Sequence, residues 1–180
     1  MNNYFKITDG PKSPKTSALM DTMRSKFKVW SWYDDKQLDK DFPVPKKATT
    51  RYFAKTVEAD EDLKNKSAEQ LEEEGIECIT LRERLMAEIQ YFDETGQNLD
   101  VNNITLCAGS RYAGGDVPGV GRDDDGGVHV GGCGVGRFGP DGRARRASLV
   151  PSAPCDLVPL SLDSAIKTCK ENGLIVSKPL

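Results

Sequence analysis

Apolar and polar positions alternate weakly from Tyr4 to Ile7 (Tyr-Phe-Lys-Ile), which predicts an edge strand ahead of the turn residues Asp9-Gly10-Pro11. Ser13-Pro14 then reads as an N-cap with proline at the first helical position, and Leu19, Met20, Met23 and Phe27 follow at helical spacing. The pattern changes to strand composition over Val29-Trp30-Ser31-Trp32-Tyr33, whose tryptophans can serve as core anchors or as a ligand platform, with the core favoured. Pro43 and Pro45 interrupt regular structure, and Thr49 to Val57 offers a further β-type stretch. Ser67 with Gln70, and Thr80 with Glu83, are spaced as capping boxes. The first opens a short helix ending near Gly75. The second opens the clearest helix of the chain, about 80 to 95, with Leu81, Leu85, Ile89 and Phe92 on one stripe and Gly96 as its C-terminal cap. Its charged residues Arg82, Glu83, Arg84 and Glu88 read as a cap and a surface i,i+4 pair. Beyond Pro151, Pro154 and Pro159, Ser161 can cap a last helix that ends at Asn172-Gly173, before a closing strand at Leu174-Ile175-Val176.

Between those helices lies a stretch of a different kind, Cys107 to Val150, which holds 13 of the 17 glycines. Short apolar anchors (Val117, Val120, Val128, Val130, Val135) recur in it, so it does not read as a flexible linker. In Val128-His129-Val130 strict alternation puts the lone histidine on the outer face of a strand.

Length and charge narrow the classes. A chain of 180 residues fits a single domain that can fold without disulfides or metals, and a net charge of -3 gives no global attraction to nucleic acid or anionic membrane. Five cysteines (Cys78, Cys107, Cys133, Cys155, Cys169) without a CxxC pair read as reduced thiols. MNNYFKITDG lacks the apolar run of a signal peptide, and no stretch is apolar enough to span a membrane. Virion, cell surface and cytoplasm are all compatible with that.

Enzymatic motifs fail on context. No lysine lies between Lys66 and Lys167, so there is no P-loop, and Gly132-Cys-Gly-Val-Gly-Arg precedes Phe-Gly-Pro-Asp-Gly, which cannot begin a dinucleotide-binding helix. Asp123-Asp124-Asp125-Gly126 lacks the spacing and distal glutamate of an EF-hand, and Glu58, Asp60, Glu61 and Asp62 read as a solvated face. Arg143, Arg145 and Arg146 could touch nucleic acid, but five aspartates accompany them in the stretch, with only Tyr112 and Phe138 for stacking.

A compositional gap is more specific. Residues 98 to 166 contain no Lys, Glu, Gln, Met or Trp, whereas these types make up 32 of the first 97 residues. Randomising the adenines of an asparagine codon that ends in a pyrimidine yields every residue type except those five, and no stop.

With that gap, LCAGSRYAGG (106 to 115), VPGV (117 to 120), VHV (128 to 130) and GRARR (142 to 146), preceded by TLRERLMAEIQYFDETG, resemble the variable proteins of diversity-generating retroelements. The resemblance covers roughly residues 65 to 150. It implies an α+β, single-domain C-type lectin fold, with helices around small antiparallel sheets and much irregular structure, and with a variable region at about 107 to 150. The family's template-primed, adenine-directed mutagenesis would rewrite Tyr112, Asp116, Gly119, Gly121, Asp123, Asp125, Gly127, His129, Gly131, Gly132, Gly134, Gly136, Gly139 and Gly142. The frame would be Ser110, Arg111, Gly114, Gly115, Val117, Pro118, Val120, Val128, Val130, Arg143 and Arg145. The resemblance implies a non-enzymatic binder of a macromolecular ligand, expected to be a protein, with no cofactor or metal and no membrane insertion; the oligomeric state is left open by the sequence, with a monomer favoured. The alternatives are a lectin-fold enzyme related to formylglycine-generating enzymes, using Cys107 or Cys133, and a nucleic-acid-binding module using Arg143 to Arg146.

Overall fold

A computed structural model describes residues 3–137 and 139–150. The helix and strand expected after Ser161 lie outside the described residues. The elements are β1 (Tyr4–Asp9), α1 (Thr16–Arg24), β2 (Val29–Ser31), α2 (Asp35–Asp41), β3 (Thr49–Ala54), a 3-10 turn (Glu61–Leu63), α3 (Ala68–Glu73), α4 (Leu81–Thr95), β4 (Ile104–Leu106), β5 (Val117–Arg122), β6 (Val128–Cys133) and β7 (Gly142–Ala144). They make a mixed α+β architecture with two open sheets, one a β1-β3 antiparallel pair and one a five-stranded mixed sheet ordered β2-β6-β5-β4-β7.

Helix α4 lies between the two. Its Leu81 and Leu85 join Leu19, Met20 and Met23 of α1 and the inward Val120, Val128 and Val130 of the larger sheet. On another side, Ala87, Met86 and Tyr91 meet Phe5, Ile7 and Phe53 of the smaller sheet. Both ends are fixed locally. The Thr80 side chain accepts from the Glu83 N–H at 3.2 Å while Glu83 accepts from the Thr80 N–H at 2.8 Å, and Gly96 terminates the helix at φ +70°. The Ser67–Gln70 capping box opens α3 in the same way.

Because α4 is covered on several sides, its charged residues are buried too, which corrects the expectation of a surface pair. Arg84, Glu88, Asp100 and Arg145 have no exposed surface. Arg84 donates to Glu88 and, through Nε at 2.9 Å, to Asp100. Arg145 donates to the other oxygen of Asp100 at 2.7 Å and to the Val57 and Thr56 carbonyls. Glu88 accepts from the Leu99 N–H and the Asn98 amide. Two cations face two anions, so the group is neutral as a whole, with Arg84 Nη2 in ion-pair contact with Asp100 at 2.8 Å but without a hydrogen bond of its own among the described residues. Arg82 makes a second buried link, bidentate to Asp9 at the end of β1 and bonded to Thr16 at the start of α1.

One local expectation also changes. Ser13 is held in a turn with Gly10 instead of capping, and α1 begins at Thr16 after Lys15, which makes no side-chain cap bond. Helix α2 has no apolar period in the sequence, since Leu38 is its one buried side chain.

The 107–111 segment runs against the α3–α4 connection, so close that a Cβ on Gly109 would stand 2.4 Å from the Cys78 carbonyl oxygen. Backbone on both sides leaves little room to yield. Gly109→Ala is expected to destabilise the fold by about 1–3 kcal/mol, read as a lowered urea midpoint with unchanged slope.

Candidate ligand-binding face

In the larger sheet the register Trp30↔His129, His129↔Gly121 and Gly121↔Ile104 carries a row of side chains across one face. Gly131↔Gly119 and Gly119↔Leu106 carry the next. Directly opposed residues share a face, so these rows lie on the side away from Val120, Val128 and Val130. That places His129 outside and its flanking valines inside, as alternation requires.

The outer face has two halves. At one end, Leu106, Val117 and Ala144 are covered by Leu63, Ala68 and Leu71. At the other, rings lie over glycines. Trp30 and His129 stack at 4.9 Å between centroids and 16° between planes, and Trp32 stands 6.3 Å from each. A Cβ on Gly131 would come within 3.1 Å of His129 Nε2, and one on Gly121 within 2.9 Å of the Ile104 side chain. The glycines thus let His129 and Ile104 lie flat on the sheet. Trp30 and Trp32 are 38% and 62% exposed, which corrects their expected place in the core.

The β5–β6 turn closes over this ring cluster. The Trp30 indole N–H donates to Asp123, whose other oxygen is 3.2 Å from His129 Nδ1. Asp125 accepts from Lys28 and from the Gly127 N–H, and these two bonds hold its carboxyl below the usual carboxylate range. Gly126 takes φ +79°, and its carbonyl accepts from Arg122.

The remaining positions expected to vary are spread more widely. Gly142 is the β7 end of the His129 row. Asp116 and Gly136 are exposed at the opposite end of the hairpin, where Gly136 adjoins Glu69 of α3. Gly134 precedes it, and Gly139 sits in the turn before β7. Tyr112 is on the other side of the sheet, which corrects its expected exposure. Its ring is 4% exposed, stacked 4.0 Å from Tyr33 and edge-on to Phe42, and its hydroxyl donates to the Gly131 carbonyl at 3.1 Å. Gly132 faces this ring, since a Cβ there would lie 3.0 Å from it.

Frame residues are placed by specific bonds. Ser110 accepts from the Leu81 N–H, and Arg111 donates to the Ala108 and Ser110 carbonyls and pairs with Glu72. Pro118 is buried in β5, its carbonyl accepting from the Cys107 N–H. Gly114 and Gly115 form the turn before β5, where the Gly115 N–H bonds the Tyr112 carbonyl.

The three described thiols are free, and the pKa of each is raised above its ordinary value. Burial pushes Cys107 far above the ordinary thiol value, raises Cys133 with help from Asp116, and pushes Cys78 up to about 11. Cys133 is four residues along β6 from His129, a strand distance of about 13 Å, beyond hydrogen-bond reach. The guanidinium groups of 143 to 146 are engaged by carboxylates: Arg143 with Glu61, Arg145 with Asp100, and Arg146 with Asp62 at 2.9 Å. The acidic run 58 to 62 thus pairs two of the three arginines, and its Glu58 accepts from Asn102 and Asn103.

Among the described residues there is no group of three His, Cys, Asp or Glu arranged to hold a metal, and no helix is long and apolar enough to cross a membrane. No family model, curated protein or solved structure matches the chain.

Proposed function

We propose that the chain is a non-enzymatic recognition protein of C-type lectin type, whose outer sheet face selects a protein ligand and is rewritten by adenine-directed template mutagenesis. One observation carries the reading. His129, Gly121, Gly119, Gly131 and Gly142, each a possible product of an asparagine codon, lie on one face with Asp123 at its rim, the glycines of β5 and β6 buried there beneath neighbouring side chains, while Val120, Val128, Val130 and Arg145 of the expected frame are buried on the opposite side. The absence of Lys, Glu, Gln, Met and Trp from residues 98 to 166 gives independent support. Affinity on such a face comes from side chains on a rigid scaffold, with no covalent step.

Deep sequencing of the gene across a population of its source tests the reading. Substitutions are expected at adenine-derived positions of the outer-face codons, beside a template repeat and a reverse transcriptase. Substitutions spread evenly over core and face, or outer-face glycine codons ending in a purine, would overturn it.

A further inference from the structure

Trp30 and Trp32 differ from the rest of the outer face in origin. They precede the glycine-rich segment, and tryptophan is a residue that a randomised asparagine codon never yields. In this sequence Trp30 is held by its bond to Asp123 and by the His129 stack, two positions that rewriting would change, while Trp32 is 62% exposed and packs on the rings of Trp30 and His129. Beside them the β5–β6 turn carries three carboxylates against two cations, Lys28 on Asp125 and Arg122 on the Gly126 carbonyl, a surplus of one negative charge. Asp123 is bonded to Trp30 and Asp125 to Lys28, whereas Asp124 is exposed and makes no hydrogen bond or ion pair to a described residue.

Exposed indole faces next to surplus negative charge are complementary to a cation. A guanidinium suits them better than an ammonium, because it is planar, stacks on indole and offers a fork of donors to a carboxylate. An anionic partner would meet repulsion from the same turn.

We propose that Trp30, Trp32 and Asp124 form a fixed subsite for an arginine side chain of a protein ligand, around which the replaceable positions set specificity. The proposal rests on the reading of the outer face as a binding surface. Rewriting then changes which sequence surrounds the arginine, while the two indoles, which precede the variable region, are kept.

The test is a titration of the ¹⁵N-labelled full chain with the peptide Gly-Gly-Arg-Gly-Gly, followed at the two indole N–H resonances. Saturable shifts at both are expected, with a dissociation constant of about 1 mM. The citrulline peptide, of the same shape without the charge, should bind at least about tenfold more weakly, and the glutamate peptide should leave the indoles unmoved. Trp32→Ala should abolish the response at Trp30, and Asp124→Asn should weaken it about threefold. Both side chains are exposed, so the thermal midpoint of each variant should match the parent. Equal binding of the arginine and citrulline peptides would overturn the proposal. So would an undiminished response in Trp32→Ala, no response at about 10 mM peptide, or indole shifts with a single-stranded oligonucleotide in place of the peptide. If outer-face codons vary in the population but the arginine peptide does not bind, only the subsite falls. If the peptide binds and the codons are invariant, the subsite stands and the diversification reading falls.

Discussion

Asp100→Asn is expected to cost about 3–5 kcal/mol of folding stability, because it leaves two buried guanidinium groups sharing one remaining carboxylate. Asp100 has no exposed surface and sits at φ +52°, where its two oxygens receive Arg84 from one side and Arg145 from the other. The amide keeps the shape, so the loss reports charge and not volume. Its pH dependence has a definite sign. Burial pushes the Asp100 carboxyl up, but Arg84 and Arg145 outweigh this and hold it below its unfolded value of 3.8. Its contribution is therefore fully present above the unfolded value and lost as pH falls through the folded one. Asp60, raised mainly by burial, works in the opposite sense, since acidification protonates it in the fold first. Urea unfolding from pH 7 down to pH 3 should show the gap between parent and variant narrowing below about pH 4. A gap under about 1 kcal/mol at pH 7 would mean that the four charges are not desolvated as the structure places them.

The same network shows what sequence patterns reveal and what they leave hidden. Capping boxes at Ser67 and Thr80, the Gly96 terminus and the Val128-His129-Val130 alternation are local geometry, so spacing alone exposes them. Arg84 and Glu88 also have the right spacing for a pair. Whether that pair faces water depends on residues 98 to 105 and 145 folding over α4, a tertiary fact without a local signature. In α2, Asp35-Lys-Gln-Leu-Asp-Lys-Asp offers one apolar residue and hence no period to read. At the candidate site, alternation correctly put His129 outside. Trp30 and Trp32 alternate equally well with either face inward, and aromatic size favoured the core. Codon composition carries no information about burial: of the positions proposed to vary, Tyr112 is packed in the core, and Gly119, Gly121 and Gly131 are buried as well.

Tyr112→Ala is accordingly expected to destabilise the fold by about 3–5 kcal/mol, the cost of emptying a packed aromatic site. The ring fills the space between Tyr33, Phe42 and the inner side of β6, and its hydroxyl bonds the Gly131 carbonyl directly beneath the outer-face rings. Tyr112→Phe keeps the packing and loses that bond, for about 1 kcal/mol. Tyr112→Asp should be the worst of the three, because a carboxylate would stand where burial already drives the phenol strongly toward its neutral form. Urea midpoints for the three variants should fall in the order Phe, Ala, Asp. The consequence for a diversified gene is a filter: random replacement at this codon produces mostly small or polar residues, and chains that receive them fold poorly and drop out. Position 112 should therefore show far less surviving variety than His129 or Asp123, although all three codons would be mutated alike. If Tyr112→Ala instead costs under about 1 kcal/mol, the ring is not part of the core and the codon-based reading of it as a ligand contact stands.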